Sequence, residues 1–236
     1  VHGAIEVPED KFRNWAGGFT NVTAAANFAS SGGIPVTTFV SGTSMASPVA
    51  AGAAAIIRSY YPGYSALQAG EQLRVTCDPI DAVNAASFAG KLGKGRINMY
   101  KALTITSPAI RSVFSVTDGN DETFLPGDTL RIVADMINYL SPTANLTCSL
   151  TTNSSYVTIL DGSTSPGAIG TLSSFSNSAD PFIVVIKPNA FPNSSVNLRL
   201  AYNDGLYSDF QYLTVVVNVD YINVTVNQVK TSITST

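Results

Sequence analysis

The run Gly42-Thr43-Ser44-Met45-Ala46-Ser47-Pro48-Val49-Ala50-Ala51-Gly52 places a serine between a short strand-like segment and a long stretch of small apolar residues. Immediately upstream, residues 36–40 are Val-Thr-Thr-Phe-Val, the β-branched and aromatic residues typical of strands. From Ser44 to about Arg58 the chain is rich in alanine, which favours a helix. The run therefore predicts a strand, a turn at residues 41–43 and a helix that begins at Ser44.

A serine at the start of a helix suits nucleophilic chemistry. Its hydroxyl is a poor nucleophile unless a base takes the proton and the site stabilises the resulting oxyanion. Free backbone N–H groups and the positive end of the helix dipole at a helix N-terminus serve the second need. We expect Pro48 in the first turn, where its missing N–H is tolerated. The simpler alternative is that Gly-Thr-Ser only caps a core helix.

The predicted helix is apolar on every side, which is typical of a buried helix. Its apolar run is far too short to cross a bilayer. Pro62-Gly63 ends it, and Ser65-Ala66-Leu67-Gln68 is a capping box that starts a second helix. Residues 90–103 follow with the sequence Gly-Lys-Leu-Gly-Lys-Gly-Arg-Ile-Asn-Met-Tyr-Lys-Ala-Leu.

The block at 42–52 resembles the segment around the nucleophile of subtilisin-like serine proteases (subtilases, peptidase S8). Residues 90–103 resemble the Gly-x-Gly-x-Ile-Asn segment and closing helix of the same catalytic domain. The resemblance is good over residues 30–107 and poor over residues 1–29. It implies a Ser-His-Asp hydrolase that cuts peptide bonds on an α/β fold with a parallel sheet. It makes Ser44 the nucleophile, makes its backbone N–H one oxyanion donor, and gives Thr43 a supporting role at the oxyanion hole.

The remaining catalytic residues have no matching blocks. In the family, the Asp, His and oxyanion Asn precede the serine by long stretches, whereas His2, the sole histidine, lies only 42 residues before Ser44. Asp10 follows His2, which is the wrong order for the family. An ordinary N-terminal histidine is the better interpretation of His2. Other oxyanion donors could come only from three asparagines: Asn14, Asn21 and Asn27.

We therefore expect an internal fragment of a larger secreted subtilase that is inactive alone, with its Asp and His outside this chain. The alternative is a degenerate, non-catalytic protease scaffold whose second half serves adhesion or substrate docking.

From about Ala109 the alanine-rich pattern gives way to short β-rich runs. Seven strands are predicted: 111–117, 129–138, 145–150, 156–160, 181–187, 195–202 and 210–219. Turn residues such as Asp161-Gly162 and Asn203-Asp204-Gly205 separate them. The pattern predicts an all-β immunoglobulin-like sandwich. We expect residues 1–107 to be the C-terminal part of a catalytic domain, 108–220 the sandwich, and 221–236 a final strand or the start of a further domain.

Two features of this second half suggest ligands. An acidic cluster, Asp118, Asn120, Asp121 and Glu122, could bind calcium, although a solvated turn is the simpler interpretation. Three tyrosines, Tyr202, Tyr207 and Tyr212, could form part of a sugar- or protein-binding face, although packing is the better interpretation. No metal site is predicted, and the family resemblance requires no cofactor.

Composition is consistent with a secreted globular protein. The 236 residues are 45% hydrophobic and 12% charged, so a sizeable core is available. A formal net charge of −3 gives no reason to expect nucleic acid or an anionic membrane as partner. The expected partner is a protein or peptide substrate. Cys77 and Cys148 lie in different predicted domains, so we expect no disulfide between them.

Overall fold

The computed structural model describes residues 28–29, 35–36, 43–119 and 123–218; up to residue 45 it describes the backbone only. The strands β1 (Phe28–Ala29) and β2 (Pro35–Val36) form a short antiparallel pair. Three helices follow: α1 (Thr43–Tyr60), α2 (Ala66–Val75) and α3 (Met99–Thr104). Two short 3-10 turns, Asp81–Val83 and Ala86–Phe88, lie between α2 and α3.

Local signals account for the second and third helices. Ser65 caps α2: its hydroxyl accepts from the Gln68 N–H at 3.2 Å, while the Gln68 side chain accepts from the Ser65 N–H at 3.0 Å. The predicted capping box is thereby confirmed. Asn98 caps α3 by accepting from the Lys101 N–H at 3.0 Å. Each cap satisfies backbone donors that the first helical turn leaves without a partner.

The first helix differs from the prediction in its burial. Among residues 46–60 of this helix, only Ala53 and Ile57 are buried, on the side that faces α2 and α3, while Ile56 and Tyr60 are exposed. The expectation of a fully buried helix is wrong for the described part of the chain. Residues 53 and 57 are four positions apart and therefore lie on the same face of the helix. Among the described residues, α2 and α3 pack against that face.

Nine strands make up the second half of the described chain, and all of their pairings are antiparallel. They are β3 (Ile110–Thr117), β4 (Thr129–Asn138), β5 (Leu146–Thr152), β6 (Val157–Asp161), β7 (Ser163–Gly167), β8 (Ser173–Ser176), β9 (Phe182–Ile186), β10 (Ser195–Asp204) and β11 (Tyr207–Val216). The order is β11-β10-β5-β7 in one sheet and β3-β4-β9-β6 in the other, where β8 also pairs with β4.

One hydrophobic core is shared by the two sheets. The alternating burial of β4 and β10 directs residues such as Ile132 and Leu200 into it. Contacts cross between the sheets: Cys148 Sγ on β5 lies 3.7 Å from Met136 Sδ on β4, and the hydroxyls of Ser112 on β3 and Tyr202 on β10 are 2.6 Å apart. The second half is thus β-rich, as predicted.

Two of the strands, β7 and β8, were not predicted, and the observed strand ends differ from the predicted ends by up to three residues.

A separate, smaller hydrophobic cluster joins α1, α2 and α3, with Ala53, Ile57, Ala69, Leu73 and Ala102 at its centre. The described residues contain no parallel strand pair, so the parallel sheet and the domain limits 1–107, 108–220 and 221–236 stay predictions. No helix in the described part of the chain has the length and apolar character needed to cross a bilayer.

Candidate active site

The predicted nucleophile lies at the start of a helix, as expected. Thr43 is the first residue of α1, so Ser44 belongs to the first helical turn. N–H groups in this turn have no carbonyl partner within the helix, and the helix dipole adds partial positive charge there. The backbone at Ser44 therefore has the polarity that stabilises a developing oxyanion.

Pro48 lies one residue further from the helix start than predicted, because α1 begins at Thr43 rather than at Ser44. It is the sixth residue of α1 rather than a member of its first turn. Since proline has no N–H, it leaves the Ser44 carbonyl without the usual helical partner four residues on. The helix therefore lacks a hydrogen bond next to the candidate nucleophile.

The other candidate catalytic residues lie outside the described residues: His2, Asp10, Asn14, Asn21 and Asn27. In the acidic cluster, Asp118 is described, whereas residues 120–122 are outside the described range. Among the residues that the structure describes, no three His, Cys, Asp or Glu side chains are grouped as metal ligands would be.

The segment at residues 90–103 is organised around Asp78, which sequence reasoning did not single out. Its carboxylate accepts from Lys101 Nζ at 2.6 Å, from Arg96 Nη2 at 2.9 Å and from Asn98 Nδ2 at 3.1 Å. The backbones of Asp78 and Arg96 exchange two hydrogen bonds of 2.8 and 2.9 Å. This cluster ties the end of α2 to the start of α3 and gives the Gly-Lys-Gly-Arg-Ile-Asn segment a structural role.

Asp78 predicts a loss of stability in acid. Hydrogen bonds from Lys101 and Arg96 lower the pKa of its carboxyl from 3.8 to about 2, despite the opposing effect of burial. Because the folded-state pKa is lowered, the stabilisation is complete above the unfolded-state pKa and is lost as the pH falls from about 4 to about 2. We expect the urea midpoint of the native chain to fall across this window.

The matched variant is Asp78→Asn, which cannot titrate at this position. Its urea midpoint is expected to be lower than the native one at pH 6, and the difference is expected to shrink towards pH 2. A constant difference between the two proteins from pH 6 to pH 2 would contradict the lowered pKa.

A second group of charges joins α2 to the sheets. Arg74 Nη1 lies 2.5 Å from Asp209 Oδ2 on β11, and Arg74 Nε donates to Glu71 at 2.7 Å. Arg111 Nε on β3 donates to the other Glu71 oxygen at 2.7 Å, and Lys94 Nζ lies 3.3 Å from Asp209. Burial lowers the pKa of Arg74, but the Asp209 and Glu71 carboxylates more than offset this, so its pKa is raised.

Neutral hydrogen bonds fix α2 on two sides. The buried Gln72 side chain donates to the carbonyls of Ala102 and Ile105 at 2.9 and 2.8 Å, and Gln68 donates to the carbonyl of Tyr139 at 3.1 Å. The capping box marks Gln68 only as part of a helix start, and no motif marks Gln72; the partners of their side-chain amides lie 30 or more positions away. The Gln72 bonds hold α2 against α3, and the Gln68 bond holds α2 against the residue that follows β4.

Both cysteines are free thiols, in agreement with the expected absence of a disulfide between them. Cys148 lies in the core, where burial raises the pKa of its thiol to about 12. Burial also raises the pKa of the Cys77 thiol. A thiol with a raised pKa carries little thiolate at neutral pH, so neither residue is placed as a nucleophile.

Of the three candidate tyrosines, two belong to the core and its edge. Tyr202 and Tyr207 are buried, which confirms the packing interpretation for both. Burial raises the pKa of both phenols well above the usual range. Tyr212 is 50% exposed on the outer face of its sheet.

Comparison with solved structures shows only weak similarity. A family 123 glycoside hydrolase from Clostridium perfringens aligns at 15% identity with a TM-score of 0.28, over 46% of this chain and 27% of that one. The sporulation control protein Spo0M from Bacillus subtilis aligns at 11% identity with a TM-score of 0.27, over 49% of this chain and 51% of Spo0M. This chain thus spans about a quarter of the length of the glycoside hydrolase and about half of the length of Spo0M.

No curated protein matches the chain. One family model does match: the model of the subtilase family aligns with residues 21–95, which is less than half of the 236 residues. The match includes Ser44, the whole of α1 and α2, and Asp78. Residues 21–95 of this chain are therefore similar to the subtilase family of serine peptidases.

Proposed function

We propose that this chain carries the nucleophile segment of a secreted subtilisin-type serine endopeptidase. The observation that carries the proposal is the coincidence of two findings: the subtilase match spans Ser44, and α1 begins one residue before Ser44. Protein or peptide chains are the proposed substrates, and the reaction requires no cofactor.

In the proposed reaction the Ser44 hydroxyl attacks a peptide carbonyl, and a general base takes the hydroxyl proton. The oxyanion that forms is held by the free N–H of Ser44 at the start of α1, with support from Thr43. The base then returns the proton to the leaving amine, and water hydrolyses the acyl-enzyme by the same route. The Asp and His blocks and the oxyanion Asn are proposed to come from outside these 236 residues.

The accompanying domain proposal keeps the predicted limits. Residues 1–107 would be the C-terminal part of the catalytic domain, and 108–220 an immunoglobulin-like sandwich. Residues 221–236 would be a final strand or the start of another domain. Two separate hydrophobic clusters, one within α1–α3 and one between the two sheets, support a division of this kind.

Fluorophosphonate labelling tests the proposed chemistry, because the probe reacts only with an activated serine. The 236-residue chain alone is expected to remain unlabelled, since loss of the histidine base of a Ser-His-Asp triad lowers kcat by about 10⁶-fold in subtilisin. The natural gene product that contains this chain is expected to be labelled. Ser44→Ala is expected to abolish that labelling, whereas Ser47→Ala, three residues further along the same helix, leaves it unchanged.

Two outcomes would contradict the proposal. If the isolated chain were labelled at Ser44, the base would lie within it and His2 would become the candidate. If the natural gene product were not labelled at Ser44, the non-catalytic scaffold would be the better interpretation.

A further inference from the structure

A groove of about 680 Å³ lies on the side of the four-stranded sheet that faces away from the core. Its volume is typical of pockets that hold small ligands. Strands β5 and β10 form its floor, Tyr212 of β11 lies at one side, and the segment around Ala89 and Lys91 borders it. Tyr212 lies close under that segment, since a Cβ on Gly90 would be only 3.0 Å from the Tyr212 hydroxyl oxygen.

Three residues form a row across the groove. Arg199 on β10 is paired in register with Thr151 on β5 and with Tyr212 on β11, so the three side chains share one face of the sheet. The Arg199 guanidinium lies 4.3 Å from the centre of the Phe210 ring, which is edge-on to Tyr212. This cation–π contact holds the arginine without neutralising its charge.

The groove is rich in hydrogen-bond donors and lacks carboxylates. Lys91 and Arg199 line it, and none of its lining residues is an Asp or Glu, although the whole chain carries a net charge of −3. Among the described residues, neither cation forms an ion pair. The side-chain oxygen Oδ1 of Asn197 accepts from the Thr214 hydroxyl at 2.7 Å, which leaves the N–H groups of its side-chain amide for a ligand.

We propose that this groove binds an acidic oligosaccharide, a chain of sugars that bear carboxylate groups. A uronate carboxylate pairs with Arg199 and Lys91, sugar hydroxyls accept from the Asn197 amide, and a sugar ring packs on the half-exposed ring of Tyr212. The two cations of the groove favour an anionic ligand, and the half-exposed ring of Tyr212 gives a sugar an apolar surface with a polar hydroxyl at its tip.

The position of the groove favours a sugar over an acidic peptide. An extended peptide gains most of its affinity by pairing with a strand edge, and the groove does not lie at the outer edge of β11, the last strand of its sheet. The groove instead lies on the face of the sheet formed by β5 and β10, and a sheet face presents side chains rather than backbone groups. Recognition there must rely on side chains. The inference does not depend on the protease proposal, because Ser44 takes no part in it.

Isothermal titration of the 236-residue chain with tetragalacturonate tests the inference. We expect saturable binding that weakens as salt is raised from 20 to 200 mM, since the contact is ionic. Arg199→Gln is expected to weaken binding by about tenfold or more, because it removes a charged hydrogen-bond donor. Tyr212→Ala is expected to weaken it as well.

The matched control is Arg131→Gln, which removes an exposed arginine from the other sheet and should leave the affinity unchanged. Circular dichroism of each variant confirms that it is folded. Three results would overturn the inference: no binding at millimolar tetragalacturonate, equal binding of the neutral sugar cellotetraose, or tighter binding of tetraglutamate. An unchanged affinity in Arg199→Gln would overturn it too.

Discussion

Asp209→Ala is expected to lower the free energy of unfolding by about 3–5 kcal/mol, the cost of removing one partner from a buried ion pair. The Asp209 side chain is 2% exposed and lies between Arg74 and Lys94. Without it, Lys94 loses its ion-pair partner and Arg74 keeps only Glu71. Tyr207 also loses the acceptor of its hydroxyl proton, 3.3 Å away.

Thermal unfolding followed by circular dichroism measures this loss. A chain of this size shifts by about 2–4 °C per kcal/mol, so a fall of about 10 °C is expected. Asp135→Ala is the matched control, because Asp135 is exposed on β4 and should change the midpoint by no more than about 2 °C.

A double variant separates the ion pair from general damage to β11. Asp209→Leu combined with Arg74→Met replaces both charges of this pair with apolar groups, so neither member of the pair is left without the other; Lys94 loses Asp209 in this variant as in the single one, but keeps the Ser208 carbonyl as an acceptor. We expect the double variant to be more stable than the sum of the two single losses predicts, because the two effects are coupled. Additive losses would show that Arg74 and Asp209 do not stabilise each other.

Gly95→Ala is expected to destabilise the chain by about 4 kcal/mol, for two reasons. Gly95 has a φ of +112°, which an alanine adopts only with strain of about 1–3 kcal/mol. A Cβ there would also lie 2.0 Å from the Asp78 carbonyl oxygen. That oxygen cannot move freely, since it accepts from the Arg96 N–H at 2.9 Å. The expected cost of the forced shift is about 1–3 kcal/mol.

The neighbouring glycine provides the control. Gly93 has a φ of +63°, but no atom lies within 4 Å of the position its Cβ would take. Gly93→Ala therefore carries the conformational cost alone, about 1–2 kcal/mol. Urea unfolding of the two variants compares them directly. Equal losses would contradict the close approach of Gly95 to Asp78.

The features that the sequence predicted well are local ones. The Ser65 capping box requires only residues 65–68, and the alternation of β4 and β10 lies within each strand. The strand β4 begins and ends where the sequence placed it, at Thr129 and Asn138. The start of α1 beside Ser44 is likewise encoded by the strand-turn-alanine pattern around that residue.

Strands β7 and β8 show the limit of such reasoning. Their sequences, Ser-Thr-Ser-Pro-Gly and Ser-Ser-Phe-Ser, lack the β-branched alternation that marks a strand. They are strands because β5 and β4 offer backbone partners to them. Tertiary context of this kind overrides a weak local preference.

The sequence by itself determined the serine-bearing helix, its likeness to subtilases and the β-rich character of the second half. Only the tertiary structure decided that α1 is largely exposed, that Asp78 organises residues 90–103, and that Arg74 meets Asp209. The physical reason is distance along the chain. Helix caps and strand alternation depend on residues a few positions apart, whereas Arg74 and Asp209 are 135 positions apart and meet only when the chain has folded.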